Sequence, residues 1–316
     1  MFNLTIEKTP ALPPETNSDP RLPMTTLPAG FTLGPMHARE LAVLDAWILR
    51  EGWNPGLNDL AIAHAADPEA FIALREGDEL AGAGTIFRHG SGFGFMGLFI
   101  VRPDLRGRGL GGILWEWRRD ALLARLAPGA TVGMDGVFDM VPFYTRGGFH
   151  FAHRSLRHEG IASAPLSGVA HAPDVVPLAS VSTAALLAFD REHFPCSRAP
   201  FLLPWLAQAG GTGSALLDAN GELTALGFAR PCRTGFKFGP VFALDSGGAS
   251  KILASLLAAT AGQHVQIDIP EPNGEGLALA RQYGLAEAFG CARLYLGPDP
   301  GLPNAQIFGV TSFEFG

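Results

Sequence analysis

The chain has 316 residues, is 47% hydrophobic and carries 40 glycines, which is large for one hydrophobic core and comfortable for two. Its formal net charge of -7 argues against a nucleic-acid partner, because proteins that track phosphate backbones concentrate positive charge. No apolar run reaches the ~18 residues of a membrane span, no basic-then-apolar leader opens the sequence, and Cys196, Cys232 and Cys291 show no paired spacing; the expectation is a cytoplasmic protein without membrane contact, disulfide framework or metal site.

Residues 1–28 contain six prolines and read as an irregular lead-in. Residues 31–36 read as a strand, and 37–51 as a helix because Leu41, Leu44 and Ile48 recur at its period. A turn at 51–59 carries Trp53. Strands at 71–74 and 80–87 flank Glu76-Gly77-Asp78-Glu79, the pattern of an antiparallel meander. An apolar run at 93–100 empties into V-R-P-D-L-R-G-R-G-L-G-G at 101–112, and an amphipathic helix follows at 113–126. A strand at 131–137, the segment Tyr144-Thr145-Arg146-Gly147-Gly148-Phe149 and a strand to about Leu156 complete the first half. Gly160, Pro165, Gly168 and Pro173 then mark a linker at 159–174.

The second half repeats this order. A strand at 175–180, a helix at 182–193, two strands around Asn220-Gly221 and a strand at 236–244 are expected. A helix at 250–261, a strand at 265–269, a helix at 276–283 and a strand at 292–296 follow. The apolar tail 307–316 is expected to pack as a terminal strand between domains. The repetition predicts two domains of one fold in tandem.

The segment 101–112 carries the chemistry. Glycine-rich backbone between a strand and a helix start leaves several N–H groups unpaired and converging, a cradle for pyrophosphate, and Arg106 and Arg108 add positive charge. Gly107, Gly109 and Gly112 also satisfy G-x-G-x-x-G. A dinucleotide fingerprint, however, sits in the first tight turn of a parallel unit, whereas here Pro103 and charged residues intervene and the upstream strands are antiparallel.

Arg106-Gly107-Arg108-Gly109-Leu110-Gly111 resembles the R/Q-x-x-G-x-G/A signature of the GNAT N-acetyltransferases, and Tyr144 to Phe149 resembles the family's Y-x-x-x-G-F segment. The resemblance implies a mixed α/β sheet in each of two tandem GNAT-like domains, at 29–158 and 175–316. It implies acetyl-CoA held on Arg106, Gly107, Arg108, Gly109, Leu110 and Gly111, with its pantetheine along Phe99 and Val101. Tyr144 becomes the acid that protonates the departing thiolate; a phenol of pKa near ~10 is protonated at neutral pH and competent for this, its other reading being a core tyrosine. The region between the first two helices covers the acceptor in this family, so Trp53, Asn54 and Asp59 are candidate substrate contacts, or else a helix end with a packing tryptophan.

An attacking amine must lose a proton. Asp135, on the strand before Tyr144, is the leading base, with structural hydrogen bonding as its alternative; Glu51, Asp59 and His89 are further candidates. In the second half, Gly239-Pro240-Val241-Phe242-Ala243, Asp268-Ile269-Pro270 and the tail resemble a C-terminal GNAT-like domain of bacterial tandem proteins. Asp245 stands there where phosphate would sit, and Ala280 where a tyrosine would stand, so this domain is expected to be degenerate and to build the substrate pocket. The activity expected is direct transfer of an acetyl group to a small-molecule primary amine, through a tetrahedral intermediate, by a monomer or homodimer. A coenzyme A-binding regulator without turnover and a protein-lysine acetyltransferase are the alternatives.

Overall fold

In the first half of the chain, alternating and continuous apolar strands assemble a meander, and an amphipathic helix closes each face. The structure, a computed structural model, describes residues 27–163 and 174–316. The expected lead-in therefore lies almost wholly outside the described residues, as do Pro165, Gly168 and Pro173. The first half runs β1 (Phe31–Pro35), α1 (Ala38–Arg50), α2 (Asp59–Ala66), β2 (Phe71–Glu76), β3 (Glu79–His89), β4 (Phe93–Val101), α3 (Leu110–Ala124), β5 (Thr131–Gly136), α4 (Val141–Arg146) and β6 (His150–Ile161). The second runs β7 (Val175–Pro177), α5 (Thr183–His193), α6 (Ala199–Leu206), β8 (Thr212–Leu217), β9 (Leu223–Pro231), β10 (Phe236–Ala243), α7 (Ser246–Ala259), β11 (His264–Pro270), α8 (Gly274–Gln282), β12 (Ala286–Leu296) and β13 (Ile307–Gly309).

Both halves have one topology. β1 to β4 are antiparallel and β4 pairs parallel with β5; β7 to β10 are antiparallel and β10 pairs parallel with β11. The halves then interlock. β12 lies between β5 and β6, and β6 lies between β12 and β11, antiparallel throughout, so a single 13-stranded mixed sheet crosses the molecule. Each half supplies the strand that covers the other's open edge, which removes two rows of unpaired N–H and C=O groups.

The core is shared as well. Phe71 and Phe87 from the first half pack with Phe201, Trp205 and Phe242 from the second, and Phe315 of the tail lies among them. Buried ion pairs tie the halves together: Arg230 Nε to Asp59 at 3.0 Å and Arg293 to Asp135 at 2.7 Å.

Several elements differ from expectation. β6 runs to Ile161 and β12 begins at Ala286, both longer than expected. Each continues because it gains a neighbour from the other half, which local composition does not reveal. α2 and α6 were not anticipated: α6, APFLLPWL, contains two prolines and is apolar all round, a pattern that reads as a breaker until Phe201, Leu202 and Trp205 are seen in the core.

Candidate active site

β4 and β5 pair only from Phe93–Met96 against Thr131–Met134, although β4 continues to Val101. Beyond Met96 the two strands part. β4 also bulges against β3, with one extra residue between Gly97 and Ile100, and Leu98 takes a φ of 49°. A non-glycine residue in that region is held there by its surroundings. The support comes from α3, where Arg118 donates through Nη2 to the carbonyls of Thr85 (2.5 Å) and Gly97 (2.7 Å) on either side of the bulge. Arg118 is 1% exposed and its Nε and Nη1 have no partner. Burial draws its pKa down to about 9. In the sequence Arg118 shows only as a charged residue interrupting the helical series Leu110, Leu114, Leu122 of buried residues.

Past β4 the chain turns into α3. Gly107 and Gly109 adopt φ of 76° and 81°, and no atom lies within 4 Å of where a side-chain carbon would stand on either. Only glycine takes this backbone without strain. None of the N–H groups of Gly107, Arg108, Gly109, Leu110, Gly111 and Gly112 has a main-chain acceptor among the described residues; the first helical bond is Ile113 N–H to Gly109. The result is a helix N-terminus with bare donors, open to solvent and suited to an anion. Arg106 is held by Val101 O (2.9 Å) and Glu51 (2.6 Å), and Arg108 lies over the Phe31 ring.

A cavity of about 530 Å³ runs from this turn along β4 into the gap between the halves. Phe99, Val101, Arg106, Gly107 and Gly111 line its outer part, and Tyr144 and Phe143 its middle. The Tyr144 ring sits against Gly136, whose added carbon would stand 2.4 Å from Cε2, and among Trp115 and Phe143. Burial pushes the Tyr144 hydroxyl up to about 12 while the Arg118 charge pulls it the other way, so the phenol is protonated across the neutral range.

The inner end is built by both halves. Trp53 lines it, its carbonyl accepting from Arg157 Nη1 and Lys237 Nζ, each at 3.2 Å. Phe289, Cys291, Phe313 and Glu314 come from the second half. Asp135 also faces the cavity, but Arg293 engages both its oxygens at 2.7 Å, and burial nonetheless raises its pKa.

The remaining expected contacts lie elsewhere. Asp59 is fully buried, accepting from Gly56 N–H at 2.8 Å and from Arg230. Asn54 bonds Thr234 and Gln266 across the halves and is not on the cavity wall. Both fasten the two halves together and neither lines the cavity. His89 is also away from the cavity: buried, it donates from Nε2 to Phe315 O at 2.7 Å, and burial lowers its pKa to about 3. In the second half, the Asp245 carboxylate accepts from Gly248 N–H at 2.7 Å, so that α7 carries its own anion at the place where α3 is bare.

A parted strand pair, a bulge beside it and a bare helix N-terminus after it open onto one cavity with a place for an anion at its mouth. The profile of the acetyltransferase (GNAT) family matches residues 38–149, and that of an acetyltransferase (GNAT) domain matches residues 186–309. The chain belongs to the GNAT superfamily of acyltransferases and carries two such domains in tandem. It is 26% identical over 288 residues to a holothin acyltransferase of Pseudoalteromonas sp. (strain SANK 73390), covering 90% of this chain and 95% of the relative. Its fold is similar to that of a putative acetyltransferase from Pyrococcus horikoshii, with TM-score 0.77 and 19% identity over 92% of this chain and 97% of that one. A tandem GNAT protein from the clavulanic acid biosynthesis pathway superimposes with TM-score 0.59 and 15% identity over 85% and 99% of the two chains.

Proposed function

We propose that this protein transfers an acetyl group from acetyl-CoA directly to the primary amine of a small molecule. One observation carries the reading: a single cavity joins the bare N–H groups of residues 107–112 to the Tyr144 hydroxyl and to an aromatic inner end. The open space beside Gly107 and Gly109 fits a pyrophosphate approaching the backbone. Acetyl-CoA would supply an acyl group already activated as a thioester. Phe99 and Val101 give its pantetheine an apolar wall, and the parted stretch of β4 offers main-chain N–H groups to an oxyanion. Tyr144 gives its proton to the departing sulfur. The holothin acyltransferase relative supports an acyl-transfer reaction. Three free cysteines suit a reducing cytoplasm.

Thermal unfolding with acetyl-CoA, coenzyme A and NAD tests the reading. At 100 times its dissociation constant a specific ligand adds about 2.7 kcal/mol of stability. Acetyl-CoA and coenzyme A are expected to stabilise the wild type and to have no effect on Gly109→Glu, whose carboxylate enters the cradle. Absence of any shift in the wild type overturns the proposal.

A further inference from the structure

Three carboxylates line the cavity: Glu51, Asp135 and Glu314. Glu51 sits at the cradle end paired with Arg106, and Asp135 is taken up at both oxygens by Arg293. Glu314 differs. It is 5% exposed, and Ser312 Oγ donates to its Oε2, while Oε1 has no partner among the described residues. Ser312 Oγ in turn accepts from the N–H groups of Glu314 (2.9 Å) and Phe315 (3.3 Å), fixing the turn that presents the carboxylate.

The placement of this residue depends on close packing. The Glu314 carbonyl lies where a side chain on Gly97 would be, 2.0 Å from the position of an added carbon, so the tail seats directly on β4 at its bulge. Phe315 anchors the segment in the shared core and Phe313 turns to the cavity. Glu314 thus enters the acyl site of the first domain from the far end of the second. Groups within reach of its charge are Arg157, Lys237, Asp135, Cys291 and Cys232. Arg157 is already paired with Asp268, and Lys237 donates to a carbonyl.

The surrounding wall identifies the acceptor's body. Trp53, Phe289 and Phe313 converge at this end, the Phe289 and Phe313 rings 6.4 Å apart, with the Arg157 guanidinium over both. Flat apolar surfaces of this kind take a planar ring.

We infer that Glu314 receives the proton of the acceptor amine, and that the acceptor is an amine carried on an aromatic or similarly planar ring. This rests on the acyl-transfer reading above. The ammonium form of the amine first gives one proton to Glu314, which frees the nitrogen lone pair. The nitrogen then forms the bond to the acyl carbon, the C–S bond breaks and the sulfur takes the Tyr144 proton. The second nitrogen proton returns through water to the Tyr144 oxygen and Glu314 releases its proton to solvent, leaving an amide and a free thiol.

The test compares benzylamine, a strong base that is almost wholly protonated at neutral pH, with aniline, which carries the same ring and is already free base. Glu314→Gln keeps the shape and is expected to lower kcat on benzylamine by about a hundredfold or more, to lower it far less on aniline, and to leave the acetyl-CoA thermal shift unchanged. Equal losses on both amines, or kcat on benzylamine within threefold of wild type, overturn the assignment of Glu314. A wild type that binds acetyl-CoA yet acylates neither amine overturns the acceptor class. No acetyl-CoA shift in the wild type overturns the reading beneath, and this inference with it. If Glu314→Gln does not fold, Glu314→Asp replaces it: the shorter side chain keeps a carboxylate but withdraws it from the cavity, so kcat falls more on benzylamine than on aniline. Equal losses on the two amines overturn the assignment.

Discussion

Replacing Gly136 by alanine tests whether Tyr144 works from the place the fold gives it. The new methyl carbon would stand 2.4 Å from Tyr144 Cε2 and 3.0 Å from Cδ2, whereas carbon atoms in ordinary contact sit no closer than about 3.5 Å. The ring must therefore retreat by about 1 Å, and Trp115 and Phe143 block a free retreat. Overpacking of this kind costs about 1–3 kcal/mol of stability, and a displacement of about 1 Å in a reacting group costs about a hundredfold in rate. The cradle of residues 107–112 is untouched, so acetyl-CoA should stabilise the variant as it does the wild type. The assay is kcat by thiol release, measured beside Tyr144→Phe and the double variant. If the alanine acts through Tyr144, adding it to Tyr144→Phe changes kcat little, because the hydroxyl is already gone. A Gly136→Ala enzyme with wild-type kcat, or a double variant whose losses multiply, would refute the reasoning.

Two further predictions concern how the halves hold together. Burial lowers the His89 pKa from its ordinary 6.5 to about 3, so between these pH values the unfolded chain takes up a proton that the folded one does not. Its contribution to stability is complete above pH 6.5 and is lost as pH falls towards about 3, with a slope approaching about 1.4 kcal/mol per pH unit. His153, lowered to about 4 by burial, adds to the slope, so the measurement is a difference: urea unfolding at pH 6.5 and 4.5 should be less pH-dependent in His89→Gln than in wild type, and equal slopes would sink the argument. Asp59→Ala leaves Arg230 buried over the Trp205 ring without its carboxylate. Removing one partner of a buried pair costs about 3–5 kcal/mol, and a loss below about 1 kcal/mol in urea unfolding would show that the pair does not clamp the halves.

The glycine-rich end of the cavity, where the proposed function places acyl-CoA, is legible in sequence because its parts are contiguous. The apolar run of β4, the glycines and arginines of 106–112 and the amphipathic α3 follow one another within 32 residues of the chain, and each local conformation follows from its own residues. Tyr144 is readable for the same reason, lying in a short segment closed by Gly147-Gly148-Phe149. The duplicated order of elements likewise shows in periodicity alone.

The inner end of the cavity, proposed to take the acceptor, has no such local basis. Glu314 and Phe313 reach β4 from more than 200 residues away, and nothing in Phe-Glu-Phe states which side chain will face a cavity and which the core. Asp59 and Asn54 read as candidate substrate contacts in a turn, and only the arrival of Arg230, Thr234 and Gln266 from the second half shows them as ties between the halves. Asp135 has its carboxylate engaged by Arg293 only because β12 crosses into the first domain to pair with β5. Local sequence thus determined the order of the main strands and helices in each half and the glycine-rich turn, since both depend on backbone preference and the period of apolar residues. Tertiary structure alone decided which cavity carboxylate is without an ion-pair partner among the described residues, because that depends on strands and a tail exchanged between halves far apart in the chain.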